Sequence, residues 1–127
     1  MTAVLDASAI LALLYREPGA DAVEEVLDGA AVSAVNWSEV LQKLSQRGLH
    51  PASAMAAALQ ELGLRIEPFT PDDAQRAAEL WDAGRETGLS LGDRACLALA
   101  HRLALEAITA DRAWKTVDAG VTVRLLR

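Results

Sequence analysis

Ala3-Val4-Leu5-Asp6-Ala7-Ser8-Ala9-Ile10-Leu11-Ala12-Leu13-Leu14 changes its period at a carboxylate. Before Asp6 the residues make the short apolar run of a buried strand, and after it the pattern is that of a helix. Open α/β sheets place their chemistry beyond the C-terminal ends of their strands, so an acid at this junction is a candidate functional residue. Glu39, Asp93 and Asp111 stand at comparable junctions further along, and the four together suggest a metal site.

Five strand-like runs follow from the same reading: Thr2 to Asp6, Ala30 to Ser33, Arg65 to Pro68, Ala107 to Thr109 and Val121 to Leu125. Amphipathic stretches separate them. Ala20 to Leu27 follows Pro18-Gly19 as a short helix, and Ala34 to Gln46 carries Trp37, Val40, Leu41 and Leu44 at helical spacing. Gly48 closes that helix, and Pro51, after His50, suits the first turn of the next, Ala52 to Leu62, which Gly63 stops. Thr70-Pro71-Asp72-Asp73 is a helix start with Thr70 as N-cap and proline at the first helical position, opening Asp72 to Glu86. Ser90-Leu91-Gly92-Asp93 opens another helix, running to about Leu105. Strands alternating with helices imply parallel pairing through right-handed crossovers, hence an α/β sheet with helices on both faces.

The 127 residues suit a single domain, and no internal repeat or linker interrupts them. Cys96 is the only cysteine, which excludes an intrachain disulfide and a Cys-based zinc cluster and favours a reducing compartment. The apolar N-terminal stretch lacks a basic region before it, is interrupted by Asp6 and is ended by Arg16-Glu17-Pro18-Gly19. Neither a secretory signal nor a membrane helix is expected, and the cytoplasm is the expected location. A net charge of −6 argues against a nucleic-acid binder that works by neutralising phosphates. The argument is a weak one if the acids hold divalent cations, since a bound cation is often the largest charge in its site.

Each acid has a structural explanation of its own. Asp6 is a favoured N-cap type, Asp93 completes a Ser90-x-x-Asp93 capping box, Asp111 can cap the turn Arg112-Ala113-Trp114, and Glu39 can pair with Lys43 at i+4. Taken singly, none of them marks a site. Jointly, in a doubly wound sheet, Asp6 and Asp111 face each other across the crevice where strand order reverses, with Glu39 and Asp93 entering from adjoining helices. Four carboxylates converging without a cation repel one another and raise their own pKa values. Mg²⁺ or Mn²⁺ removes that penalty, and the chemistry suited to this arrangement is phosphodiester hydrolysis. Ser8 and Thr109, two residues from Asp6 and Asp111, carry hydroxyls able to orient ligands or water, or simply to bond locally at a helix start.

Asp6-Ala7-Ser8-Ala9, Asn36-Trp37-Ser38-Glu39-Val40, Leu91-Gly92-Asp93 with Ala95, and Thr109-Ala110-Asp111-Arg112-Ala113-Trp114 together resemble the four acidic motifs of PIN domains. The likeness is nearest to the VapC-type ribonuclease toxins of type II toxin–antitoxin systems, and it covers nearly the whole chain in order and spacing. The resemblance implies a PIN-like α/β/α three-layer sandwich with a five-stranded parallel sheet of order 3-2-1-4-5. It also implies a Mg²⁺- or Mn²⁺-dependent endoribonuclease, active as a homodimer and neutralised by a cognate VapB-like antitoxin whose tail lies over the acidic cleft. Asp6, Glu39, Asp93 and Asp111 match the family's acids, and Thr109 its hydroxyl position.

Arg94 and Arg112 follow two of the acids directly and are the first candidates for RNA phosphate contacts, ahead of Lys43, Arg47, Arg85 and Lys115. His50 and His101 each lack a second histidine at ligand spacing and are read as non-catalytic, Cys96 as a buried small hydrophobe, and Trp37, Trp81 and Trp114 as core or interface residues. A haloacid-dehalogenase-like phosphatase would need an acid where Ser8 stands, and a receiver domain would need a phosphorylatable Asp that Glu67-Pro68-Phe69 does not supply. The remaining alternative is a PIN-like module that binds RNA or protein without cutting. No motif legible in the chain says which RNA is recognised.

Overall fold

The computed structural model describes residues 1–48 and 52–127, so the junction at His50 and Pro51 lies outside the described residues. Its strands are β1 (Val4–Leu5), β2 (Ala31–Ser33), β3 (Arg65–Glu67), β4 (Ala107–Thr109) and β5 (Val123–Leu125). Its helices are α1 (Ala7–Leu14), α2 (Ala20–Val26), α3 (Ala34–Gln46), α4 (Ala52–Glu61), α5 (Pro71–Gly84) and α6 (Leu91–Leu103), with a 3-10 turn over Arg112–Thr116. The strands form one parallel sheet in the order β3-β2-β1-β4-β5. This is the PIN-like α/β order that the family resemblance implies.

The strands alternate strictly between two cores, as a side-chain period of two requires. Ala3, Leu5, Ala30, Val32 and Ile108 face one cluster, packed with Ile10, Leu13, Val23, Val40, Leu44 and Leu59 of the first four helices. Val4, Ala31 and Ala107 face the other, packed with Leu80, Leu97, Leu99 and Trp114. Crossovers from β1 to β2 and β2 to β3 run one way along the sheet and the crossover to β4 returns the other way, so right-handed connections put α1–α4 on one face and α5–α6 on the other.

The register aligns Val4 with Ala31 on one side and with Ala107 on the other. It brings the residues after β1 and β4 to the same edge, where strand order reverses. The first strand is shorter than the sequence suggests, without Thr2, Ala3 and Asp6, and at its C-terminal end Asp6 is the N-cap of α1, its carboxylate accepting from the Ala9 amide. Later in the chain α5 stops at Gly84, two residues before Glu86. Between the two helices of the second layer, Asp73 is 2 % exposed, closes the Thr70 capping box and receives Arg102 Nε at 2.9 Å and Nη2 at 3.1 Å. That two-pronged pair pins α5 to α6, the helix that carries Asp93.

Candidate active site

A cleft of about 230 Å³ opens at the switch point, and Asp6, Glu39, Asp93 and Asp111 all line it, together with Ser8, Asn36 and Lys43. Three of the acids reach it as helix starts. Asp6 is the N-cap of α1, Asp93 is the third residue of α6 and closes the Ser90 capping box, and Asp111 caps the 3-10 turn through the Ala113 amide at 3.0 Å. The structural explanations for these three acids therefore hold at the same time as their convergence. Glu39 differs: its Oε1 accepts from Asn36 Nδ2 at 2.8 Å rather than pairing with Lys43, which lines the same cleft.

Asp6 is the innermost acid, 5 % exposed. Oδ1 accepts from the Ala9 amide at 2.8 Å and from Ser8 Oγ at 2.7 Å, and Oδ2 accepts from Thr109 Oγ1 at 2.6 Å. Ser8 Oγ in turn receives the Ala110 amide at 2.9 Å, and Thr109 Oγ1 the Asp111 amide at 3.0 Å. The two hydroxyls thus relay the ends of β1 and β4 to one carboxylate. All of the donors are neutral, and burial outweighs them, lifting the Asp6 pKa from 3.8 to about 6 with a further push from the charge of Asp93.

The acids also act on one another and on the core beside them. Burial raises the Asp93 carboxyl above its ordinary value, and Asp111 adds to the rise against the opposing pull of the Ser90 hydrogen bonds and Arg94. Burial likewise pushes the Cys96 thiol up, reinforced by Asp6, Asp93 and Glu39. Asp6 leaves neither oxygen without a bond, whereas Glu39, Asp93 and Asp111 each keep one carboxylate oxygen with no protein partner among the described residues.

The donor set is all oxygen, which suits Mg²⁺ or Mn²⁺ rather than a softer ion. Among the described residues, no three His, Cys, Asp or Glu side chains stand close enough to cage an ion as they are placed. Mg²⁺ does not need such a cage, since it keeps several waters and takes only one or two carboxylates. A cleft in which Asp93 pushes on Asp6, Asp111 pushes on Asp93 and three carboxylate oxygens are spare fits a hydrated ion of that kind.

Neither Arg94 nor Arg112 lines the cleft. Arg94 donates to the Ala77 carbonyl at 2.9 Å and lies over the Trp81 ring at 5.5 Å, while Arg112 Nε donates to the Arg127 carbonyl at 3.0 Å. Of the tryptophans, Trp37 and Trp114 are buried in the core and Trp81 is 51 % exposed. Cys96 is buried and free.

The residues missing from a reading based on acids alone are Asn36 and Gly92. Asn36 sits one helical turn before Glu39, a spacing at which side chains meet, and that was the available clue. Its second bond, to the Gly92 carbonyl at 2.9 Å, joins segments far apart in the chain and leaves no local trace.

A PIN domain family model matches residues 3–120. The chain belongs to the PIN domain family. Within that family it groups with the VapC proteins: a VapC ribonuclease of Mycobacterium bovis is 32 % identical over 107 residues, spanning 77 % of this chain and 82 % of the relative. Ribonuclease VapC42 of Mycobacterium tuberculosis matches to the same extent. Among solved structures, a toxin–antitoxin complex from Klebsiella pneumoniae superposes with a TM-score of 0.76 at 23 % identity, covering 99 % of this chain and 98 % of that one. VapC20 of Mycobacterium tuberculosis, described as a toxin that cleaves the sarcin–ricin loop, gives 0.69 at 22 %, covering 86 % and 88 %. At these identities the structural likeness speaks for the fold of the PIN domain. No helix among the described residues is long and apolar enough to cross a membrane.

Proposed function

We propose that this PIN domain is a metal-dependent endoribonuclease, a VapC-like toxin of the cytoplasm that hydrolyses RNA phosphodiester bonds and is neutralised by a cognate VapB-like antitoxin. One observation carries the reading: four carboxylates line a single cleft at the strand-order switch, and Asp6, the most buried, has only neutral donors around it. A site built to bind RNA alone gains nothing from this, because carboxylates repel phosphates. The names of the VapC relatives support the substrate class.

In this reading Asp93, Asp111 and Glu39 offer their spare oxygens, with Asp6 behind them, to hold Mg²⁺ or Mn²⁺. The ion supplies a bound water of lowered pKa and shields charge building on the phosphate. Ser8 and Thr109 fix the Asp6 carboxylate by their hydrogen bonds and couple it to the Ala110 and Asp111 amides. Lys43, which lines the cleft, would meet a phosphate oxygen of the incoming strand in this reading.

Two surfaces support the proposed partners. A mainly apolar groove of about 380 Å³ between α1, α2 and α4, lined by Leu13, Leu14, Met55 and Leu62 with the charged Arg16, Glu24 and Asp28 beside them, would give an antitoxin helix a face to cover. Trp81 on α5 and Leu91 at the start of α6, 51 % and 54 % exposed, would each offer a second copy of the chain an apolar contact.

The test is incubation of the purified protein, freed of any partner, with structured and total RNA in Mg²⁺, Mn²⁺ or EDTA, beside Asp6→Asn. Discrete metal-dependent cuts absent from the variant are expected. RNA binding without cutting under either metal would replace the nuclease by a non-catalytic binding module.

A further inference from the structure

Glu39 enters the cleft from α3 and Asp93 from α6, and one side chain joins the two helices. Asn36 is 2 % exposed, and its Nδ2 uses both hydrogens, one within α3 to Glu39 Oε1 at 2.8 Å and one across the gap to the Gly92 carbonyl at 2.9 Å. The two acceptors dictate the orientation of the amide, because turned the other way its oxygen would face a carboxylate and a carbonyl. Asn36 Oδ1 is consequently buried with no partner among the described residues. The side chain is placed by what its donors hold, at the expense of its acceptor.

Gly92 completes the arrangement from the other side. A Cβ there would stand 2.8 Å from Glu39 Cδ and 3.0 Å from Oε2, and closer still to Oε1, so the carboxylate fills the space a side chain would take. Gly92 is not among the glycines with positive φ, so its backbone does not call for glycine. Within a helix glycine is a poorer choice than alanine, and what it permits here is the close approach of Glu39.

We propose that Asn36 is a positioning residue for Glu39. With Gly92 it ties Oε1 down against α6, leaves Oε2 as the single oxygen Glu39 presents, and sets the separation between Glu39 and Asp93, the residue that follows Gly92. The proposal rests on the reading of the cleft as a divalent-cation site, toward which Glu39 would offer Oε2.

The test is Mn²⁺ affinity measured without RNA, from the electron paramagnetic resonance signal of the free ion, on the full chain freed of partner. Wild type, Asp6→Asn, Asn36→Ala, Glu39→Gln, the Asn36→Ala/Glu39→Gln double variant and Gly92→Ala are compared, each with a melting curve in EDTA. Asn36→Ala weakens Mn²⁺ binding by about 10–100-fold, the range for residues that orient a metal ligand. The double variant binds no more weakly than Glu39→Gln alone, since Asn36 acts through Glu39. Gly92→Ala displaces only the flexible end of Glu39, so it melts no lower than wild type in EDTA and yet binds Mn²⁺ more weakly. Should Asn36→Ala not fold, Gly92→Ala carries the test alone.

Wild-type affinity in folded Asn36→Ala and in Gly92→Ala, with binding lost in Asp6→Asn, overturns the positioning role and spares the cation site. Additive losses in the double variant overturn it as well, by making Asn36 a structural residue independent of Glu39. Binding unaltered in both Asp6→Asn and Glu39→Gln removes the cation site, and the proposal with it.

Discussion

Asp6→Asn is expected to make the metal-free protein more stable. The carboxyl is 5 % exposed and its pKa is raised from 3.8 to about 6, mainly by burial. The folded state thus binds the Asp6 proton more tightly than the unfolded chain does. Its contribution is fully present below about pH 3.8 and is lost as pH rises through about 6. At about 1.36 kcal/mol per pKa unit, the charged carboxylate costs about 3 kcal/mol at neutral pH, and about half of that is recovered by about pH 5.

Asparagine removes the charge and keeps the shape. Its oxygen can still accept from the Ala9 amide and Ser8, and its amide can donate to Thr109 Oγ1, which already bonds the Asp111 amide and has Ser8 Oγ at 3.4 Å as an alternative acceptor. Urea unfolding in EDTA should therefore show the variant about 2–3 kcal/mol more stable than wild type near neutral pH, the gap narrowing toward about pH 5. Equal stability at both pH values, or a variant less stable near neutral pH, would refute the claim that burial of an uncompensated charge dominates this carboxylate.

The same linkage gives further tests. Mg²⁺ or Mn²⁺ at about 100 times its dissociation constant should stabilise wild type by about 2.7 kcal/mol, and Asp6→Asn by much less, in thermal melts with and without the ion. Thr109→Val removes the Asp6 Oδ2 donor and the acceptor of the Asp111 amide, and should cost about 1–3 kcal/mol near neutral pH but less in acid, read by urea unfolding across pH. Asp73→Ala breaks the two-pronged bond from Arg102 and the Thr70 capping box, and should cost about 2–4 kcal/mol while leaving Mn²⁺ affinity within about twofold, against the loss of about 10–100-fold expected for Asn36→Ala. Gly63→Ala should cost about 1–3 kcal/mol, because Gly63 has φ +103° and a Cβ there would run into the Asp28 backbone Cα at 2.7 Å.

Much of the fold is legible because its punctuation is local. Thr70-Pro71, Ser90 with Asp93, and Gly63 mark element ends by chemistry that involves residues only a few positions apart, and the strand runs show a period that switches at Asp6. The cleft is less so. Arg94 and Arg112 adjoin acids in sequence, but on a helix the next residue is rotated by about 100°, so Arg94 turns toward α5 instead of toward the groove. Lys43, at four residues from Glu39, shares its face and lines the cleft. How deeply Asp6 is buried, and what Asn36 touches on α6, depend on the meeting of distant segments and carry no local pattern.

Three backbone amides, those of Ala9, Ser90 and Ala113, end on oxygens of Asp6, Asp93 and Asp111. Each is therefore wired to the charge state of a different wall of the cleft, and none needs a label attached. Their ¹⁵N–¹H resonances should shift one by one as protons or cations arrive, which would order the arrivals and separate one ion from two. Helix caps serve here as built-in reporters, available in any sample in which the chain can be isotopically enriched.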